Sequence, residues 1–253
     1  MLVAERWNKI VQTVNERGSV RVSELSELCG VTEETIRRDL DRLESEGKLM
    51  RSHGGAISVK EAQSDIPFFE RQTTHADLKR SIAKAAIAYI AEGDRIVLDA
   101  STTAWYMAQI LPDIPLTVLT NSIKVATELS VKEKIQVIST GGILSPRTLS
   151  YVGPLAERSL DQYHVDKTFL SCKGVHLERG ISESNELQGL IKAKMIAISD
   201  AAYLLADHSK FGQQSFAHVA GWDRIKHVIT DAGADPALVG SLRERGVTVD
   251  QLP

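Results

Sequence analysis

The chain has 253 residues, 43% of them hydrophobic and 25% charged, with a formal net charge of −3. These values exclude collagen-like, low-complexity and disulfide-stapled classes and leave room for one small and one medium globular domain. No apolar run approaches a membrane span and no signal-peptide core opens the chain. Cys29 and Cys172 are isolated, with neither a metal-ligand spacing nor a disulfide framework. A cytoplasmic protein that needs no metal or other cofactor is therefore expected.

Val3 to Arg17 sets Ile10, Val11 and Val14 on one side and predicts a first helix. A shorter helix over Ser23 to Cys29, with Ser23 as its N-cap, ends at Gly30. A third opens at the N-cap Thr32, carries Glu33 and Glu34 where the helix dipole favours negative charge, and stops at Gly47. Its apolar stripe is Ile36, Leu40 and Leu43, with Thr35, Arg38 and Arg42 on the other flank and Arg37 to one side. Leu49 to Arg51 then pairs with Ala56 to Val59 around His53-Gly54-Gly55, and Val20 and Val22 add a short strand beside this ribbon.

Two helices, a tight turn, an arginine-bearing helix and a ribbon spell a winged helix-turn-helix, which lays one helix in the major groove of duplex DNA. Arginine suits that face because its planar fork holds a guanine edge or a phosphate at fixed geometry. The candidate DNA contacts are Thr35, Arg37, Arg38, Arg42, Lys48, Arg51 and His53. Residues 1–60 contain ten Lys/Arg and ten Asp/Glu. Binding DNA therefore requires charge sorted in space, with the acids on the back of the domain.

The expected domain boundaries are 1–59 for the DNA-binding head, 60–76 for a linker and 77–253 for the body. The linker starts with a polar hinge, after which Ile66-Pro67-Phe68-Phe69 packs its aromatics on something. A helix runs from Asp77 to Ile90. From Gly93 the rhythm is strand, loop, helix. Strands are predicted at Arg95–Asp99, Leu116–Leu119, Ile135–Ser139, Lys167–Ser171, Tyr203–Ala206, Lys226–Ile229 and Val247–Asp250. Helices are predicted at Thr103–Leu111, Ile123–Leu129, Pro154–Asp161, Leu187–Ile198 and Pro236–Glu244. The fold class is α/β, a mainly parallel sheet covered on both faces.

Small, hydroxyl-bearing and charged residues follow successive strands, on the side where open α/β sheets bind ligands. Ser101, Thr102 and Thr103 open a helix and can converge on an anion. Lys210 adds a point charge; Asp99 and Asp207 suit sugar hydroxyls, and Asn121 offers a donor and an acceptor. Gly141 and Gly142 form a third such loop. Each feature also has a plain reading as a cap, a turn or a surface ion pair.

Thr35-Ile-Arg-Arg-Asp-Leu40 and Arg51-Ser-His-Gly-Gly-Ala56 in the head resemble the DeoR family of bacterial transcriptional regulators. So do Asp99-Ala-Ser-Thr-Thr103, Thr120-Asn-Ser122, Thr140-Gly-Gly142, Ala206-Asp-His-Ser-Lys-Phe211 and Thr230-Asp231 in the body. The resemblance implies a head that binds double-stranded operator DNA and a sensor domain similar to ribose-5-phosphate isomerase. It further implies a phosphorylated sugar as effector, usually lifting repression of a catabolic operon, with phosphate-side roles for Ser101, Thr102, Thr103 and Lys210. Lys173 and the acidic residues of Gly180-Ile-Ser-Glu-Ser-Asn-Glu186 stand where many members are expected to have smaller, less charged side chains, and Lys173, with Lys192 or Lys194 on the next helix, is a candidate for tuning which sugar fits.

A head with one short reading helix needs a homo-oligomer, dimer or tetramer, to cover an operator. Two rival readings are an isomerase, for which no acidic cluster resembling the isomerase's catalytic loop is visible, and a dinucleotide sensor, which lacks Gly-x-Gly-x-x-Gly after its first strand.

Overall fold

The computed structural model describes residues 2–17, 19–52, 54–57 and 65–253. They fall into two units, Met1–Asp65 and Ile66–Pro253. The second unit thus takes in residues 66–76 of the expected linker.

The first unit runs α1 (Val3–Arg17), β1 (Ser19–Arg21), α2 (Val22–Cys29), α3 (Glu33–Ser45), β2 (Met50–Ser52) and β3 (Gly55–Ile57). The strands form an antiparallel sheet in the order β1-β3-β2, which completes a winged helix-turn-helix. Ile10, Val14, Leu25, Ile36, Leu40 and Leu43 are fully buried and form its core. Thr32 caps α3 by accepting from the Thr35 amide, and Gly47, at φ 68°, lets Lys48 close back on the Leu43 carbonyl. Gly55 is required by space, because a Cβ there would stand 2.2 Å from the Val20 carbonyl oxygen. The second helix starts one residue early. Arg21 is its N-cap, with no side-chain bond, and Ser23 lies inside the helix. His53 and residues 58–59 of the expected ribbon lie outside the described residues.

The second unit begins with α4 (Phe68–Thr73) and α5 (Ala76–Ile87). A seven-stranded sheet follows, made of β4 (Arg95–Leu98), β5 (Leu116–Thr120), β6 (Ile135–Ser139), β9 (Val165–Leu170), β12 (Ser199–Leu205), β14 (His227–Thr230) and β15 (Thr248–Gln251). The order is β15-β14-β12-β9-β4-β5-β6, and every pairing is parallel. The chain steps from β4 outward to β6, returns to the other side of β4 at β9 and then steps away. That reversal leaves a crevice between the carboxyl ends of β4 and β9, the usual ligand position in such sheets. The helices between strands are α6 (Thr102–Ile110), α7 (Ile123–Leu129), α8 (Pro154–Leu160), α9 (Glu186–Ala197) and α10 (Pro236–Glu244).

Two small sheets were not legible in the residue pattern. One is the hairpin β7 (Ile143–Ser145) with β8 (Ser150–Val152), and the other is an antiparallel sheet of β10 (Gly174–His176), β11 (Gly180–Glu183) and β13 (Ala217–Ala220). The hairpin reaches the crevice side, since Ser150 bridges Ser122 and the Arg147 carbonyl accepts from the Phe68 amide. Phe68 is 1% exposed and meets Trp105 edge-on, whereas Phe69 stays 64% exposed, so one of the two aromatics anchors this entry segment. No helix among the described residues is long and apolar enough to cross a membrane.

Candidate functional site

On α3 the apolar stripe turns inward and the arginines face solvent. Arg38 is the most exposed, its side chain at 79%, and lies 3.4 Å from Glu34. Arg37 pairs with Glu33 at 2.6 Å and Arg42 with Glu46 at 2.9 Å, while Lys48 reaches the same Glu46. Arg51 pairs with Asp41. The Thr35 hydroxyl is engaged with Thr32. The expected segregation of acids to the back of the head is therefore wrong. With acids placed three and four residues from the arginines, the same helical spacing that exposes the cations exposes their partners. Such exposed pairs are worth little in water and cost little to break. Hydrogen bonds from Lys48 and Arg42 nonetheless hold the Glu46 carboxyl below the usual carboxylate range.

Arg38→Ala should weaken operator binding roughly ten- to hundredfold at every effector concentration without altering effector affinity. Fluorescence anisotropy on labelled operator DNA checks this; unchanged binding would remove Arg38 from the interface.

At the crevice, Asp99 directly follows β4 and is completely buried. Its carboxylate accepts from the Ser101 amide at 3.0 Å and from the Ser171 amide, across the crevice, at 3.1 Å. It also lies 3.1 Å from Lys192 Nζ. Lys192 donates in turn to the Ser171 carbonyl and to Glu183. Burial works to strip the Lys192 proton, but Glu183 and Asp99 outweigh it and raise the ammonium above its ordinary value. Two buried carboxylates, Asp99 just after β4 and Glu183 of β11, converge on one lysine of α9. Lys194, the other candidate on that helix, pairs instead with Asp161.

Ser101 caps α6 by accepting from the Ala104 amide, and Thr102 donates weakly, at 3.5 Å, to the Arg71 carbonyl. Both are buried, as is Thr103. Asn121 donates to the Tyr151 carbonyl, while its Oδ1 is buried with no partner among the described residues. After β12, Asp207 caps the short turn His208–Lys210 by accepting from Ser209. Burial raises the Asp231 carboxyl, but hydrogen bonds from the His208 amide and ring and the Gly233 amide outweigh it and hold it low. That pairing fixes the turn that presents Lys210. Lys173 is half-buried on the β9–β10 loop, its amide donating to the Ser182 carbonyl.

Gly141 and Gly142 follow the edge strand β6, four strand spacings from β12 and Lys210, or about 19 Å. A Cβ on Gly142 would stand 2.9 Å from both Ala156 Cβ and the Val152 oxygen. This gives Gly142 a packing role against α8. Burial drives the Cys172 thiol up to about 12. No group of three or more His, Cys, Asp and Glu among the described residues could hold a metal.

Residues 6–62 match the DeoR-like helix-turn-helix domain, and residues 74–232 match the DeoR C-terminal sensor domain. The HTH-type transcriptional regulator YulB of Bacillus subtilis is 58% identical over 253 residues, covering 100% of this chain and 98% of that one. The L-fucose operon activator of Haemophilus influenzae is 41% identical over 88% of this chain and 89% of its own. A putative aga operon transcriptional repressor of Escherichia coli O157:H7 is 34% identical over 97% and 93%. Among solved structures, ribose 5-phosphate isomerase A of Methanocaldococcus jannaschii aligns at 18% identity over 54% of each chain, with a TM-score of 0.40. With both domains matched in order and full-length relatives well above 30% identity, the chain belongs to the DeoR family of DNA-binding transcriptional regulators.

Proposed function

We propose that this regulator represses a sugar catabolic operon and releases its DNA when a phosphorylated sugar binds at the carboxyl ends of β4, β5, β9 and β12. The observation that carries the reading is the crevice itself. The N-terminal turn of α6, Asn121 with its unpartnered oxygen, and the turn holding Lys210 all follow strands at the same end of the sheet. A helix start and a lysine suit a phosphate, and buried amide and carboxylate groups suit hydroxyls. Relatives with fucose and aga operons in their names support a carbohydrate effector, and both an activator and a repressor occur among them.

The protein acts as at least a dimer, with heads spaced by the operator's half-sites. A hundredfold loss of DNA affinity needs a preference of about 2.7 kcal/mol for the non-binding state, within the reach of a few charge-assisted hydrogen bonds. No turnover is expected. Asp99 already accepts from two amides and lies against Lys192, so both its oxygens are engaged and not aimed at a carbon-bound proton. NMR of the protein with pentose and hexose phosphates checks this, and interconversion would overturn it.

The ligand is found by a thermal-shift screen over phosphorylated pentoses, hexoses and deoxy-sugars, because a true ligand stabilises by mass action. Lys210→Ala should bind operator DNA normally and fail to release it with the hit compound. Normal release in that variant would remove the phosphate from this turn. Operator binding that rises with the hit would make the protein an activator of the kind named among its relatives.

A further inference from the structure

The sheet face opposite α5, α6 and α7 is covered by the β7–β8 hairpin, α8 and α9, whose Val152, Ala156, Leu160, Ile191 and Met195 cluster with Val97 and Leu119. The hairpin is tied to α9 where Gln188 donates to the Thr148 and Ser150 hydroxyls at 3.1 and 3.0 Å. β13 joins the same layer beside Gly189 of α9, where a Cβ would stand 3.2 Å from Ala217 Cβ.

The outer surface of this layer is apolar where water should favour charge. α9 turns Ile191, Met195 and Ile196 inward, yet its outward stripe is Leu187, Leu190, Ala193, Lys194 and Ala197. The one charge in that stripe, Lys194, is paired with Asp161. A helix apolar on both sides is one that is covered on both sides. On β7, Ile143 and Leu144 alternate to opposite faces of the ribbon and both are exposed, so the body covers neither. β7 is also an edge. β8 holds one side of it, and among the described residues no strand pairs with the other. Proteins usually guard such an edge with a charge, and Ile143-Leu-Ser145 carries none.

With Leu155 of α8 and Phe216 just before β13, the large apolar side chains of this surface, Ile143, Leu144, Leu187 and Leu190 included, are 41% to 66% exposed. At about 200 Å² for a whole side chain of this size, they bare on the order of 600 Å², the upper end of what a lone protein leaves in one patch. Two such faces together bury about 1,200 Å², which reaches the size of a specific interface. The charges of these elements outside the core cancel, with Arg147, Arg158 and Lys194 against Glu157, Asp161 and Glu186. A face without net charge meets its own copy without repulsion.

We propose that two copies of the chain join through this surface about a two-fold axis, β7 pairing with the partner's β7 and the leucines of α8 and α9 packing beside it. A strand that meets itself across a two-fold axis is antiparallel to its mate, so the pairing closes the open edge with ordinary ladder geometry. The inference rests on the reading that two heads act together and assigns the surface that holds the copies to each other.

Sedimentation velocity on the full-length protein tests it. The double variant Leu144→Lys, Leu190→Lys sets like charges against each other across the axis, which should raise the dissociation constant about a hundredfold or more. At micromolar concentration it should sediment at half the wild-type mass with an unchanged circular dichroism spectrum. Val131→Lys, an 82% exposed apolar residue after α7 and outside this layer, should keep the wild-type mass. Cysteine placed in turn at Ile143, Leu144 and Ser145 should give a disulfide-linked pair on mild oxidation for at least one position, since facing residues of an antiparallel pair lie within disulfide reach. The native Cys29 and Cys172 are buried and leave the wild type as the background.

A double variant with the mass of the wild type overturns this surface while leaving the two-headed reading in place. Absence of cross-linking at all three positions overturns the strand pairing. A wild type of single-chain mass overturns the proposal and leaves the face to a different protein, and operator DNA bound by one copy would overturn the two-headed reading as well. Where the double variant does not fold, the cysteine series carries the result.

Discussion

Lys192→Met should lower the unfolding free energy of the sensor unit by about 3–5 kcal/mol, the usual cost of breaking a buried ion pair from one side. Lys192 is 7% exposed, and both its carboxylate partners, Asp99 and Glu183, are 5% exposed or less. Methionine has nearly the volume of lysine but no charge, so the substitution leaves two buried anions without the cation between them. It also withdraws the donor to the Ser171 carbonyl that ties β9 to α9. Urea unfolding followed by the fluorescence of Trp105 and Trp222 measures the loss. The triple variant Asp99→Asn, Glu183→Gln, Lys192→Met should regain much of it, because neutral amides tolerate one another where carboxylates do not. A single variant as stable as the wild type would show that water reaches this cluster.

Asp39→Ala should abolish DNA binding without touching any proposed contact to DNA. Asp39 lies on the inner side of the recognition helix and accepts from Arg6 at 2.6 and 3.1 Å and from the Trp7 indole at 2.7 Å. This links α1 to α3. Removing it strands the Arg6 guanidinium, whose side chain is 10% exposed, and leaves the indole N–H without its acceptor. A loss of about 2–3 kcal/mol is expected. A head of this size has little stability to spare, so the head should melt while the sensor unit keeps its ligand-induced thermal shift. Circular dichroism distinguishes this from Arg38→Ala, whose head stays folded and merely binds DNA less well.

The sheet strands of the body were legible because a strand covered on both faces is a short apolar run, and Ile96, Val97 and Leu98 or Val228 and Ile229 could be little else. The small strands were not. Ile143-Leu-Ser and Gly174-Val-His are three residues long, and only their partners in space make them strands. The helix Phe68–Thr73 was hidden by Pro67, which reads as extended chain and yet precedes the first helical residue.

The buried lysines were only partly legible, Lys192 standing as a candidate for tuning which sugar fits and Lys79 not singled out at all. Lys192 shares the buried face of α9 with Gln188, Ile191, Met195 and Ile196, and Lys79 shares that of α5 with Ile82, Ala83 and Ala86. A lysine at an apolar position of a helical repeat is a local signal, since few are buried unless paired. Its partners lie too far along the chain to be read from spacing. The even tally of charges in the head was visible from the start, but the placement of the acids was not, because it depends on which face α3 turns outward.

That placement bears on how the protein finds its operator. A head whose guanidinium groups are already shadowed by their own carboxylates grips arbitrary duplex feebly, because sequence-independent adhesion comes mainly from displaced counterions. Visits to wrong sites are then brief. If these arginines are the residues that read the operator, discrimination among the very many competing stretches of a chromosome would rest on the few positions where a base edge outbids a glutamate for its arginine.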